Sequence, residues 1–317
     1  MKQQIESSKG EDTMENSLRL VSLFDALGPV MVGPSSSHTA GVLRIGRMGR
    51  SFLGGDPEKV ELYFYGNALA RTYKGHLSDS GIVAGLLGYG ENSPEVRDAL
   101  EEARERGISV SYHPDYSSDR NPNTVDMRLE RNGKRIQVVG ITVGGGEILM
   151  TELEGFPICL RGSEDGIIFI ADREFTREEI ERVLCTKLLS LETARKEDRV
   201  LHICIQDTPP AAEKLTLLQK EKGVVGVFSV QAVLDYKLRN SKPVFASVEE
   251  MLGLAKAKNL SVPQLAVNYE VSRSGLSESE VRKRIARIWK TMNESVEKGL
   301  TGENEMVGGL VPRDSGK

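Results

Sequence analysis

NTVDMRLERNGKRIQVVGITVGGGEILMTELEG, residues 123–155, holds three strand-like runs in succession, at 123–130, 135–142 and 146–153. Upstream of it, helical and strand patterns alternate. In SLRLVSLFDALG, residues 17–28, Leu20, Leu23, Phe24 and Leu27 recur at helical spacing and Gly28 ends the run. VGPSSSHTAG then reads as a turn, and Val42, Leu43, Ile45, Met48 and Phe52 behind it mark a helix. VELYFY at 60–65 has the composition of a buried strand. DSGIVAGLLG at 79–88 is a small-residue helix with Asp79 placed to cap it, and PEVRDALEEARER at 94–106 is a charged surface helix with Pro94 near its start. Helices and strands mixed in this way predict an α+β domain, α/β-like in its alternation, over 17–155, with 1–16 as a flexible N-terminus.

Downstream, residues 156–240 read as a small βαβ-type module: strand at 166–172, helix at 176–189, strand at 199–206, helix at 210–220 and strand at 224–230. Residues 243–317 read as an all-helical arm. Ser247 caps one helix, Pro263 suits the first turn of a second, and Ser277 with Glu280 makes a capping box for a third. The third carries Val281, Ile285, Ile288, Met292, Val296 and Leu300 on one face, with Gly299 or Gly302 to end it. Such a face, left alone, implies a protein partner or a second copy.

The 317 residues carry 42 Lys plus Arg against 46 Asp plus Glu, a formal charge of -4. That balance gives no long-range field to attract nucleic acid or an anionic membrane, so a small-molecule ligand is expected. Hydrophobic residues make up 39% and glycines number 32, the apolar share of a globular protein, which excludes a chain disordered throughout. No run approaches the ~18 apolar residues of a membrane span, and the polar start MKQQIESSKGEDT lacks the apolar core of a signal peptide, so a cytoplasmic location is expected. Cys159, Cys185 and Cys204 are odd in number and form no C-x-x-C pair. Neither a disulfide framework nor a structural zinc site follows; the thiols are expected to be free or buried, with Cys185 and Cys204 buried and inert.

Two clusters can carry chemistry. In GPSSSHTAG, 33–41, the hydroxyls of Ser35, Ser36, Ser37 and Thr39 and the His38 imidazole lie just ahead of a helix. The first N–H groups of a helix lack partners, and such an arrangement attracts carboxylates or phosphates. His38 can donate or accept a proton near neutral pH; an N-cap with extra serines accounts for the same residues. RTYKGHLSD, 71–79, gathers Arg71, Lys74, His76 and Asp79 before another helix. His76 suits removal of a proton from Cα, with Lys74 or Arg71 holding a substrate carboxylate; a solvated loop capped by Asp79 is the alternative. His202, among apolar strand neighbours, is expected to be structural, and His113 carries no stronger signal. Asn121-Pro122-Asn123-Thr124 is a turn entering a strand, and Gly144-Gly145-Gly146 lets backbone come close to a ligand or another strand. Without G-x-G-x-x-G spacing or a Walker Lys-Ser/Thr, nucleotide binding is discounted, and no G-x-S-x-G supports a serine nucleophile.

Taken together, GPSSSHTAG at 33–41, TYKGHLSD at 72–79 with GLLG at 85–88, PNT at 122–124 and VGGGEI at 143–148 resemble, in order and spacing, the beta part of bacterial iron-sulfur L-serine dehydratases. The resemblance covers about 18–155. It implies that His76 and His38 are catalytic, that Ser35, Ser36, Ser37, Thr39, Lys74, Asp79, Asn123 and Thr124 bind substrate, and that L-serine becomes pyruvate and ammonia. Asn67 and Leu77 stand where smaller residues such as Ser and Gly are expected, and Thr142 where Ser is usual. The 156–240 module resembles the ACT-type regulatory domain that often follows, although its Asp-x-Pro-Gly turn is here Asp172-Arg173-Glu174-Phe175. Residues 243–317 resemble the beginning of the alpha, catalytic part. In the family the alpha part continues to the cysteines of a [4Fe-4S] cluster, and Cys159, Cys185 and Cys204 are not expected to bind it. The resemblance therefore implies a cysteine-bearing alpha subunit or domain from elsewhere, and a homo-oligomer. A reading of another class is a non-catalytic L-serine-sensing module, because beta-type domains also resemble the allosteric substrate-binding domain of some phosphoglycerate dehydrogenases.

Overall fold

The structure, a computed structural model, describes residues 22–234, 236 and 243–302. The expected N-terminal tail, the first residues of the 17–28 helix and the tail after 302 lie outside them. Two compact units are formed, Met1–Leu27 with Leu238–Met292, and Gly28–Lys237 with Asn293–Lys317. Helices and two sheets make the fold α+β, as the sequence pattern predicts.

The unit beginning at Gly28 is built on a six-stranded sheet in the order β2-β1-β3-β4-β5-β6. Its strands are β1 (Lys59–Tyr65), β2 (Ser109–Asp115), β3 (Thr124–Arg131), β4 (Lys134–Gly144), β5 (Glu147–Leu153) and β6 (Phe156–Leu160). β1 and β2 pair in parallel and every other pair is antiparallel. Alternation decides which face is inward: Ile136, Val138 and Thr142 of β4 are buried, while Arg135 is exposed and Gln137 and Ile141 are half-buried. Against the inner face lies α2 (Val42–Leu53), and across α2 lies α4 (Ser78–Leu86), with short α3 (Leu69–Thr72) and α5 (Ala99–Glu105) beside them. The 94–106 segment is not one helix. A 3-10 turn, Pro94–Val96, precedes α5, and Asp98 enters the helix without a side-chain cap bond.

The helices α2 and α4 cross backbone to backbone. A Cβ added at Gly46 would run into the Ile82 carbonyl oxygen, and one at Gly85 into that of Leu43. Two glycines thus set the spacing that brings the N-terminal ends of both helices together.

The second sheet has the order β10-β7-β9-β8, from β7 (Asp165–Ala171), β8 (Ser190–Lys196), β9 (Arg199–Gln206) and β10 (Val224–Val230), all antiparallel. With α6 (Arg177–Leu184) and α7 (Ala212–Gln219) the connectivity is βαββαβ. This corrects two expectations. The 176–189 helix stops at Leu184, where Cys185 turns left-handed (φ 47), and the chain returns along the edge strand β8. β7 is buried along its whole length: Ile168 and Ile170 join the core of the first sheet, whereas Ile167, Phe169 and Ala171 pack with Ile180, Leu184 and Leu218 of α6 and α7. A single apolar cluster therefore runs from the first sheet through α2 into Leu201, Ile203 and Phe228 of the second. The first sheet also runs past Gly155 to β6, five residues of strand beyond the expected boundary.

In the other unit α1 (Leu23–Leu27), α8 (Val248–Lys258), α9 (Val262–Ser274) and the start of α10 (Glu278–Thr301) come together. Buried Glu270 accepts hydrogen bonds from Ser22 Oγ (2.9 Å) and the Leu23 N–H (2.8 Å), holding the N-terminus of α1. Ser247 and Ser277 accept the N–H groups of Glu250 and Glu280, as expected of caps, and Pro263 lies in the first turn of α9. Along α10 the apolar stripe is buried at Val281, half-buried at Ile285 and Ile288, and exposed at Met292, Val296 and Leu300.

Candidate active site

The turn Ser36–Gly41 is a π-helical lead into α2, and Ser35 is its N-cap, accepting the His38 N–H at 3.0 Å. The capping alternative thus holds for Ser35. π-turns of this kind place a side chain off the regular helical register, and here that side chain is His38. At the head of α4, Leu77 adopts a left-handed conformation (φ 55, ψ 32) and acts as N-cap position, so Asp79 is not the cap. Its carboxylate instead accepts the N–H of Ser80 at 2.9 Å.

The Gly46/Gly85 crossing sets these two turns side by side. His38 Nδ1 lies 3.1 Å from His76 Nδ1, with ring centroids 5.2 Å apart, and His38 Nε2 lies 3.1 Å from Asn123 Oδ1 at the entry to β3. An amide oxygen only accepts, so a neutral His38 carries its proton on Nε2 and offers the Nδ1 lone pair. His76 then donates from Nδ1, which leaves His76 Nε2 as an unprotonated nitrogen. Burial first, and second the repulsion that a charged His76 would meet from His38 when that ring is protonated, hold the His76 imidazole below the usual histidine range. At neutral pH His76 is therefore an uncharged base whose tautomer is set through His38 by Asn123.

Other expected site residues are placed less uniformly. Ser36 and Ser37 are half-buried on the turn, Ser37 Oγ lying 3.5 Å from Ser35 Oγ. The Thr39 hydroxyl donates to the His76 carbonyl oxygen at 2.7 Å. Thr124 is buried as the first residue of β3. Lys74 is exposed, and half-buried Asp79 has its carboxyl pushed up by burial, against its amide hydrogen bonds and the charge of Lys74. Arg71 turns to Asn67 Oδ1 (3.1 Å) and to the Tyr116 ring.

Three residues with a part in the site had no assigned role in the sequence. Thr72 Oγ1 donates to the Ala68 carbonyl oxygen at 2.9 Å and stands 3.3 Å from His38 Nδ1; its four-residue spacing from His76 is the signal that points to it. Arg44 on α2 donates to the Gly146 carbonyl oxygen at 2.7 Å and pairs with Glu91 at 2.6 Å, which anchors the triple-glycine turn. No pattern in the sequence announces that clamp.

The residues described do not fit an iron-sulfur cluster. Cys185 after α6 is exposed, correcting the expectation of a buried thiol there, Cys159 on β6 is exposed as well, and Cys204 on β9 is buried, its thiol pushed up to about 12. Among the described residues no three His, Cys, Asp or Glu side chains group as a metal site. His202 is structural as expected: fully buried, stacked on Phe169 at 4.4 Å, it accepts the Phe175 N–H at 2.9 Å. No helix among the described residues is long and apolar enough to cross a membrane.

Residues 22–112 match the profile of the serine dehydratase beta chain. The chain is 38% identical over 180 residues to the probable L-serine dehydratase, beta chain, of Bacillus subtilis (strain 168), covering 56% of this chain and 81% of that one. It is 33% identical over 149 residues to the L-serine dehydratase, beta chain, of Peptoniphilus asaccharolyticus, covering 46% and 67%. L-serine dehydratase TdcG of Escherichia coli (strain K12) is 25% identical over 304 residues, covering 93% of this chain and 52% of its own, so this chain spans about half of that relative's length. A histidine pair assembled from the two most distinctive motifs, and relatives of which it covers two thirds or more, lead to one assignment: the chain belongs to the serine dehydratase beta-chain family.

Proposed function

We propose that the chain is a component of an L-serine dehydratase, in which His76 Nε2 takes the proton from Cα of bound L-serine. The electron pair of the Cα–H bond then forms the Cα=Cβ double bond and the hydroxyl leaves Cβ. The aminoacrylate released becomes pyruvate and ammonia by hydrolysis. The observation that carries this reading is the Asn123–His38–His76 chain of contacts, which leaves one imidazole nitrogen uncharged and unprotonated. The serine turn ahead of α2, with Lys74, receives the substrate carboxylate.

The iron-sulfur cluster implied by the family resemblance would supply a Lewis acid for the departing hydroxyl. Cys159, Cys185 and Cys204 do not group as a site for it, and a cysteine-bearing alpha partner supplies it. The test is pyruvate formation from L-serine by this chain assembled anaerobically with such a partner. His76→Ala is expected to lower kcat by roughly 10²- to 10⁴-fold with the fold retained. Unchanged turnover would sink the assignment of the base; an effect confined to serine affinity would favour a sensing module.

A further inference from the structure

We propose that Thr39 is a positioning residue for His76 and does not itself hold the substrate; the inference rests on the reading of His76 as the base. A threonine hydroxyl has one proton to donate, and a carboxylate only accepts. Thr39 directs that proton to the His76 carbonyl oxygen at 2.7 Å, and the residue is fully buried. Nothing remains for it to offer a substrate carboxylate. Its methyl is enclosed as well: a Cβ on Gly33 would lie 2.6 Å from Thr39 Cγ2, and one on Gly81 3.4 Å from the same atom.

The placement explains what this hydroxyl does. Thr39 follows His38 directly, and its own N–H is bonded to the Ser35 carbonyl oxygen at 2.8 Å, so it is fixed to the turn that carries His38. The backbone bonds from the His76 N–H to the Thr72 carbonyl oxygen (2.9 Å) and from the Leu77 N–H to that of Lys74 (3.3 Å) stay within the loop itself. The Thr39 hydroxyl ties that loop to the opposite turn through the backbone, alongside the contact between the two rings. Without it the loop can retreat, the 3.1 Å contact between the two Nδ1 atoms opens, and the His76 tautomer is no longer set. Across this contact His38 opposes a charge on His76, while on the same loop Lys74 acts on Asp79.

Histidine-labelled NMR on the full chain tests this without turnover. Wild type is expected to show His76 protonated on Nδ1 and titrating below free histidine. In Thr39→Val the titration should move back toward free histidine with both tautomers present, and Thr39→Ser should restore the wild-type spectrum. In the assembled enzyme Thr39→Val should lower kcat about 10- to 100-fold at unchanged KM. An unchanged His76 spectrum, or a rise in KM alone, would overturn the proposal. If Thr39→Val does not fold, Thr39→Ala against Thr39→Ser gives the same comparison, since the two differ only in the hydroxyl. Failure of the base assignment is separate: turnover would survive His76→Ala while the Thr39→Val spectrum still changed.

Discussion

Leu77 is the residue whose identity conflicts most directly with its conformation. It occupies the left-handed region at φ 55, where an L side chain with a Cβ costs roughly 1–2 kcal/mol and glycine costs nothing comparable. The family resemblance leads one to expect a smaller residue there, and the backbone gives a reason: the chain must turn sharply between His76 and the first turn of α4. Leu77→Gly is expected to raise the unfolding free energy by about 1 kcal/mol, read as a higher urea midpoint at unchanged slope. A lower midpoint would mean that the half-buried leucine side chain contributes more than the strain removes. Asn67, a second departure, accepts the Arg71 Nε–H through its side-chain amide oxygen at 3.1 Å, so its effect falls on a neighbouring cation and not on the histidines.

At the scale of elements the α2–α4 crossing controls the site. Gly85→Ala places a methyl against the Leu43 carbonyl oxygen, which no rotamer change can relieve because both partners are backbone or Cβ. The helices must separate, at about 1–3 kcal/mol of overpacking strain. The expected result is a lower Tm together with lower turnover, because the His38–His76 contact sits at the N-terminal ends of the same two helices. Gly253→Ala on exposed α8, where an added Cβ meets nothing within 4 Å, is the control and should leave both unchanged or raise Tm slightly. The crossing also marks how far the sequence could be read. Strands β3, β4, β7, β9 and β10 were legible because alternation or continuous burial writes itself into apolar patterns. β8 was not, since an exposed edge strand such as SLETARK needs no apolar face. β2 is poorly buried for the same reason. His38 and His76 were each legible as candidates; their contact was not, because it depends on two glycines packing backbone to backbone and not on any spacing along the chain.

For the molecule as a whole, the shared core makes the second sheet a structural support of the site. β7 and β9 present Ile168, Ile170, Leu201 and Ile203 to the first core, Ser51 Oγ on α2 donates to the Ser229 carbonyl oxygen at 2.9 Å, and Arg47 donates to that of Val233 at 3.0 Å. Damage on the far side of this sheet should therefore be felt at α2. His202 allows a test by pH. Burial pushes its imidazole down to about 4, against an ordinary value of 6.5, so in the folded protein it remains neutral where the unfolded chain takes up a proton. The folded state is accordingly unaffected above pH 6.5, loses stability as pH falls from 6.5 to about 4, and loses no more below that from this group. The full difference corresponds to about 3 kcal/mol. In His202→Gln, whose amide oxygen can still accept the Phe175 N–H, that part of the acid destabilisation should disappear, whatever the variant loses in stacking on Phe169. Measured by hydrogen exchange across the 6.5-to-4 window, the wild-type loss should extend to α2 amides together with those of β7 and β9. Loss confined to the second sheet would show that its core opens independently of the element that carries His38, and that the shared cluster does not couple them.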